Sequence, residues 1–158
     1  MLKKILVATD SSPMGTKIFA AAIELGRHTN AHLMLLHVLS PADEGSEVEL
    51  YPSLVAYPIA SESNVALYRK QWDEYKGKST KMLRDRLEEA KAAGINNVEF
   101  SQQIGNPSRA ICDFAKEWEA DTIVVGRRGH SGLSEFLMGS VSNYVLHHAP
   151  CSVFVVHR

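Results

Sequence analysis

The stretch VVGRRGHSGLSEFLMGSVS, residues 124–142, joins the end of an apolar run to a segment that has the composition of a helix start. Its glycines, Gly126, Gly129 and Gly139, have the spacing G-x2-G-x9-G, and Ser140 follows the third directly. Glycine permits a positive φ and a close approach of the backbone to another group. The spacing is neither the GxGxxG of dinucleotide-binding folds nor the GxxxxGK[ST] of P-loops. The glycines therefore indicate either turns or a ligand-binding loop, and the surrounding sequence has to distinguish the two.

Apolar runs alternate with helical patterns along the whole chain. The runs that predict strands are KILVATD (4–10), HLMLLHVL (32–39), NVEFSQQIG (97–105), DTIVVG (121–126) and CSVFVVHR (151–158). Continuous apolar runs are typical of parallel strands covered on both faces, whereas the alternating third run indicates a strand nearer an edge. The order predicts one α/β domain over residues 1–158, Rossmann-like, with an open five-stranded parallel sheet and helices on both faces.

Helix boundaries are marked by familiar residue types. Ser12 and Asn106, each followed by proline, predict N-caps with proline in the first turn. A helical pattern covers residues 63–93, where Gly77 is a candidate interruption and Gly94 a C-terminal cap.

Residues 40–61 contain three prolines and no steady period. A loop of this length either lies on the domain's own surface or contacts a partner.

The composition excludes several classes of protein. The chain has 158 residues, 45% hydrophobic, with a formal net charge of −1. Its cationic residues form no basic stripe of the kind that nucleic-acid binders carry. It shows no signal peptide and no apolar stretch long enough to span a membrane, so we expect a cytoplasmic protein that binds neither nucleic acid nor membrane. Cys112 and Cys151 lie far apart, which favours buried thiols in a reducing compartment.

The fold class predicts where a ligand should bind. Open α/β sheets bind ligands beyond the carboxyl ends of their strands, where the strand order reverses. With the first strand central, Ala8, Thr9 and Asp10 become neighbours of Val125 and Gly126. The glycine-containing stretch therefore lies at the predicted mouth of the site.

The start of the last helix is a candidate anion site. Its unsatisfied first-turn amides belong to Gly139, Ser140, Val141 and Ser142. We expect Ser140 to be the N-cap and the hydroxyls of Ser140 and Ser142 to donate to phosphate. Arg127 and Arg128 in the loop have the charge to neutralise a phosphate.

The complete spacing resembles that of the universal stress protein family, in particular its ATP-binding subclass with the motif G-x2-G-x9-G-[ST]. The motif stands here as Gly126, Gly129, Gly139 and Ser140. The resemblance covers nearly the whole chain, since KKILVATDSS, LLHV and APCSVFVVHR are similar to the family's first, second and last strands. It implies the sheet order 3-2-1-4-5 and a homodimer formed through the C-terminal strand.

The resemblance also implies that the ligand is an adenine nucleotide, ATP, with Mg²⁺ or Mn²⁺ bridging the phosphates. Ala8, Thr9 and Asp10 would hold the adenosine end, with Asp10 accepting from the ribose hydroxyls, and the Val38 backbone would meet the adenine edge. The residues implied to hold the phosphates are Gly126, Arg127, Gly129, Gly139, Ser140, Val141 and Ser142. The arginines at 127 and 128 depart from the smaller or histidine-bearing pair expected there, so they either clamp phosphate or point to solvent.

Several side chains keep a structural alternative. Asp10 either faces the ligand or caps a turn after the first strand. His37 is expected to be a hydrogen-bonded core histidine rather than a ligand. His130 lies in the loop, where phosphate contact is open, and His147 and His148 end a helix without evident metal partners.

Three classes of function stay open. The first is a nucleotide-binding protein with a regulatory or stress-survival role and unknown protein partners. The second is a slow ATPase or a nucleotidyl-transfer enzyme on the same fold. The third is a dimeric interaction or chaperone module without nucleotide. The complete glycine pattern argues against the third, and no side chain is clearly placed as a general base for the second. We therefore expect an ATP-binding universal stress protein that is not an enzyme and hydrolyses ATP slowly at most.

Overall fold

The computed structural model describes residues 2–40, 62–127 and 139–157. Strands and helices alternate through these ranges. In chain order they are β1 (Lys4–Ala8), α1 (Pro13–Thr29), β2 (His32–Leu39), α2 (Glu62–Ala92), β3 (Val98–Ile104), α3 (Pro107–Glu117), β4 (Thr122–Gly126), α4 (Ser140–His148) and β5 (Ser152–Val156).

The five strands form one parallel sheet in the order β3-β2-β1-β4-β5. β1 is central, because Val7 is in register with Leu35 of β2 on one side and with Val124 of β4 on the other. The predicted α/β fold and the strand order are therefore confirmed, and β3 lies at an edge as its alternating sequence indicates.

Two apolar clusters cover the two faces of the sheet. One packs α1 and α2 against the sheet and includes Ile5, Phe19 and Leu83. The other packs α3 and α4 against the opposite face and includes Leu6 and Val145. Ile5 and Leu6 are neighbours on one strand but belong to different clusters, because successive strand side chains point to opposite faces.

Helix ends follow the sequence signals in three places. The Ser12 Oγ accepts from the Gly15 amide at 3.1 Å, and the Asn106 Oδ1 accepts from the Arg109 amide at 3.2 Å. Gly94 ends its helix region with a φ of 92°, which glycine adopts without strain.

Other boundaries differ from the prediction. Gly77 does not interrupt α2, since one interior glycine costs only about 1 kcal/mol and packing against the sheet outweighs it. β1 ends at Ala8 rather than Asp10, because Asp10 turns the chain toward α1. The predicted N-cap Ser140 is wrong: Gly139 is the N-cap of α4 and Ser140 is the first helical residue.

Most of the predicted 40–61 loop lies outside the described residues, as do Arg128, Gly129 and His130 of the glycine loop. Within the described ranges, no helix is both long and apolar enough to cross a membrane.

Candidate functional site

A cavity of about 440 Å³ opens at the carboxyl ends of β1, β2 and β4. Ten of the thirteen predicted site residues line it. The lining residues are Ala8, Thr9, Asp10, Met14, Ile18, Leu36, His37, Val38, Ile111, Val125, Gly126, Gly139, Ser140, Val141 and Ser142. The topology therefore brings the end of β1, the end of β4 and the start of α4 together around one space.

Asp10 both faces the cavity and organises the turn between β1 and α1. Its Oδ1 accepts from the Ser12 amide at 3.0 Å and from the Ser12 hydroxyl at 2.5 Å. Gly15 follows closely, and a Cβ there would stand 2.0 Å from the Asp10 carbonyl oxygen. The turn-capping alternative for Asp10 is therefore present in the structure, and it holds the same carboxylate at the cavity wall.

Thr9 is buried and its hydroxyl is committed to the protein. The Oγ1 donates to the Gly15 carbonyl at 3.1 Å and accepts from the Arg86 Nη1 of α2. Since a hydroxyl has a single proton to donate, and the Thr9 amide donates to the Leu36 carbonyl at 2.9 Å, Thr9 has neither proton left to offer a ligand.

Arg86 is a residue that the motif analysis missed. Its signal lay in the pattern of α2, where an arginine interrupts the apolar positions of the buried face.

The start of α4 presents unsatisfied amides to the cavity. The first intrahelical hydrogen bond runs from the Asn143 amide to the Gly139 carbonyl at 2.9 Å, so the amides of Ser140, Val141 and Ser142 precede it. Such amides and the helix dipole favour an anion. The Ser142 hydroxyl, which the sequence predicts to donate to phosphate, donates to the Gly139 carbonyl at 3.0 Å in this structure. Its donation to phosphate stays a prediction.

Gly126 is fixed by packing between β4 and α1. A Cβ at this position would stand 2.5 Å from Met14 Cγ and 2.7 Å from Ile18 Cδ1. Both side chains line the cavity. The glycine therefore sets how closely α1 approaches the end of β4 and, with it, the width of the space.

His37 behaves as the hydrogen-bonded core histidine that the sequence predicts. It is 5% exposed, its Nδ1 lies 2.5 Å from the Ser79 Oγ, and its ring meets the Tyr75 ring edge-on at 6.3 Å. Its neighbour Val38 is buried on the cavity wall, where its backbone was predicted to meet a ligand.

Arg127 follows β4 but is not among the cavity-lining residues. Its amide donates to the Val156 carbonyl at 3.0 Å and extends the β4–β5 pairing. Because Arg128 and Gly129 lie outside the described residues, the described part of the wall contains one carboxylate, Asp10, and no lysine or arginine.

No metal cluster accompanies the cavity in the described ranges, since they hold no group of three or more histidine, cysteine, aspartate or glutamate side chains suited to a metal ion. His148 ends α4, and its Nδ1 lies 2.9 Å from the Tyr144 carbonyl. Cys112 and Cys151 are free, and burial raises the pKa of both thiols. A raised pKa keeps a thiol protonated and unreactive at neutral pH.

Comparisons with known proteins agree with the fold. The model of the Universal stress protein family matches residues 1–157. Universal stress protein Sll1388 from Synechocystis is 35% identical over 155 residues, which cover 98% of this chain and 97% of that protein. The structure of UspA from Lactobacillus plantarum aligns with a TM-score of 0.77 at 24% identity, covering 98% and 97% of the two chains. A universal stress protein solved in complex with cAMP aligns with a TM-score of 0.65 at 25% identity, covering 99% and 97%.

Proposed function

Because the chain belongs to the universal stress protein family, we propose that it is a regulatory protein that binds an adenine nucleotide, ATP, in the cavity between β1 and β4. One observation carries the proposal: the carboxyl end of β1 and the open amides of α4 face the same cavity of about 440 Å³. The structural relative solved with cAMP supports an adenine nucleotide as the ligand.

The two sides of the cavity suit the two ends of a nucleotide. Met14, Ile18 and Ile111 make part of the wall apolar, as in most small-molecule sites, where a few polar groups fix the orientation. We propose that the base and ribose lie against the β1 and β2 ends, near Asp10 and Val38. The phosphates would lie at the start of α4, where backbone amides serve as donors.

A divalent cation would suit this arrangement if the phosphates of the ligand held it. Mg²⁺ typically keeps several waters and binds through phosphates and one or two carboxylates. The described wall offers one carboxylate, Asp10, and this suits a cation held mainly by the ligand. When bound, Mg²⁺ or Mn²⁺ would neutralise phosphate charge that the described wall does not balance.

We propose binding without appreciable turnover. A general base must reach the proton that it abstracts, directly or through one water. The Asp10 Oδ1 already accepts two hydrogen bonds within its turn, and His37 is paired with Ser79. A slow ATPase on the same site is the second candidate, and a measurement of phosphate release tests it.

We further propose a homodimer through β5. In the part of the chain that the structure describes, β5 pairs with β4 alone. Phe154 of β5 and Leu146 of α4 are large apolar residues that stay 44% and 42% exposed. An open strand edge with exposed apolar side chains is suited to pairing with a second chain. The protein partners of the dimer are not identified, and a cytoplasmic location stays a prediction.

The test begins with freshly purified protein, from which any bound nucleotide is released by denaturation and identified by chromatography and mass spectrometry. Stripped and refolded protein is then titrated with ATP, AMP and cAMP, with and without Mg²⁺, in a calorimeter. We expect copurified adenine nucleotide or a dissociation constant in the micromolar range. Phosphate release measured on the same samples separates binding from hydrolysis. Absence of both copurified nucleotide and a titration signal would sink the proposal.

A further inference from the structure

The buried face of α2 carries a positive charge. Its buried residues are Tyr75, Ser79, Leu83, Arg86 and Ala90. Arg86 is 8% exposed, and burial lowers the pKa of its guanidinium, an effect that the nearby Glu89 opposes. Among the described residues no carboxylate forms an ion pair with it. A buried arginine without an ion pair does not usually stabilise a fold. The role of Arg86 therefore has to be inferred from its other contacts.

Those contacts converge on the turn between β1 and α1. The Nη1 donates to the Thr9 Oγ1, and the Nη2 approaches the Thr16 Oγ1 at 3.5 Å. The guanidinium also lies 5.6 Å from the centre of the Phe19 ring, within the range of a cation–π contact. Thr9 precedes the turn and Thr16 follows it, so one side chain of α2 contacts both of its ends.

From Arg86 a series of hydrogen bonds leads to the cavity. The Thr9 hydroxyl, held by Arg86, donates to the Gly15 carbonyl. The Gly15 amide donates to the Ser12 Oγ, and the Ser12 hydroxyl donates to the Asp10 carboxylate. Thr9 and Asp10 both line the cavity, whereas Arg86 does not.

We propose that Arg86 is a positioning residue for the nucleotide site: by fixing the Thr9 hydroxyl it holds the β1–α1 turn, and through that turn the Asp10 carboxylate, in the geometry that binds the ligand. The claim rests on the proposed function, because it concerns the affinity of that same cavity. Under this proposal α2 contributes to nucleotide affinity, although Arg86 does not line the cavity.

A purely structural role for Arg86 makes a different prediction. In that case its loss lowers the stability of the domain, and nucleotide affinity falls only as far as the folded fraction falls. A positioning role lowers affinity in protein that is still fully folded. The measurement therefore has to report affinity and stability separately.

The test compares Arg86→Met and Arg86→Lys with the control Arg84→Met, which removes the same charge from an exposed position on the same helix. ATP with Mg²⁺ is titrated well below each variant's melting temperature. We expect Arg86→Met to weaken binding about tenfold or more, Arg86→Lys to fall between, and Arg84→Met to match the parent protein. The effects of Thr9→Val and Arg86→Met should be less than additive, because both remove the Arg86–Thr9 hydrogen bond, although Thr9→Val also removes the bond to the Gly15 carbonyl.

The outcomes separate the two claims. Fully folded Arg86→Met that binds ATP like the parent would overturn the positioning role, and so would an affinity loss that tracks the unfolded fraction. If the parent itself binds no adenine nucleotide, the proposed function fails, and amide hydrogen exchange in the 10–16 turn decides the positioning claim. Faster exchange in Arg86→Met than in Arg84→Met that is confined to this turn supports it, and exchange that is equal, or faster throughout the domain, overturns it.

Discussion

Gly126, at the end of β4, lies directly against Met14 of α1: a Cβ on the glycine would stand 2.5 Å from the Met14 Cγ. Since real Cβ contacts are not this short, any larger residue has to displace α1 side chains that line the cavity. Packing against α1 therefore requires a glycine at the β4 end of the cavity.

Gly126→Val should narrow the cavity by pushing Met14 and Ile18 into it. Overpacking of this kind costs typically about 1–3 kcal/mol of folding free energy. We expect ATP affinity to fall at least about tenfold, measured by calorimetry at a temperature where the variant is folded. Unchanged affinity would show that the end of β4 does not border the bound ligand.

Gly77→Ala is the matched glycine variant away from the site. Apart from the neighbouring backbone of the helix itself, no atom of the described residues lies within 4 Å of the added Cβ, and Gly77 is in the interior of α2. Alanine is favoured over glycine in helices by about 0.8–1 kcal/mol, so urea unfolding should show a gain of that size. ATP affinity should not change. A loss of stability would mean that the α2 backbone at Gly77 needs glycine for another reason.

The Ser140 amide gives the sharpest test of the phosphate position. Ser140 is the first helical residue of α4, and its predecessor Gly139 has an extended ψ of 149°, so proline fits at 140 without breaking the helix. Ser140→Pro removes the amide donor, whereas Ser140→Ala removes only the hydroxyl. Because hydrogen bonds to charged groups contribute about 1.5–3 kcal/mol, we expect Ser140→Pro to weaken ATP binding about tenfold or more.

The control for Ser140→Pro is the ligand itself. Adenosine, which has no phosphate, should bind the Ser140→Pro and Ser140→Ala variants alike. Equal losses for ATP and adenosine would contradict a phosphate at the start of α4.

The environment of Asp121 indicates that part of the unfolding free energy depends on pH in the acid range. Its carboxylate accepts from the Lys3 and Lys4 amides, each at 2.8 Å, and these bonds lower the pKa of Asp121 in the folded protein. A lowered folded-state pKa stabilises the fold above the ordinary aspartate pKa of about 3.9, and that contribution disappears as the pH falls through the folded-state value. The difference in unfolding free energy between parent and Asp121→Asn should therefore shrink from pH 7 to pH 3. A difference that does not vary with pH would refute this linkage.

Much of the fold could be predicted because its signals are local. The eight-residue run of β2 is apolar except at His32 and His37, and its predicted bounds agree with the structure. Ser12 and Asn106 precede prolines and cap their helices as expected. Errors arose where two local signals compete. The predicted strand ran through Thr9 to Asp10, but the Asp10 carboxylate accepts from the Ser12 amide in the turn to α1, and the strand ends at Ala8.

Less of the site could be predicted from the sequence, because its finer features depend on tertiary contacts. Arg86 lies 77 residues from Thr9 in the chain, so no motif joins them. The Ser142 hydroxyl is a chemically reasonable phosphate donor, and only the structure shows it bonded to Gly139. Likewise the spacing of the glycines cannot reveal that Gly126 is required by Met14.

The central claim is that an adenine nucleotide occupies the cavity between β1 and β4, and backbone amide chemical shifts test it most directly. ¹⁵N-labelled, stripped protein is titrated with ATP and Mg²⁺, and the shift of every assigned amide is followed. The account predicts saturable changes concentrated at the end of β1, at Gly126 and at Ser140–Ser142, with small changes at the far end of α2 near Lys91. Saturable changes confined to the β5 edge, or no changes at millimolar ATP, would contradict it.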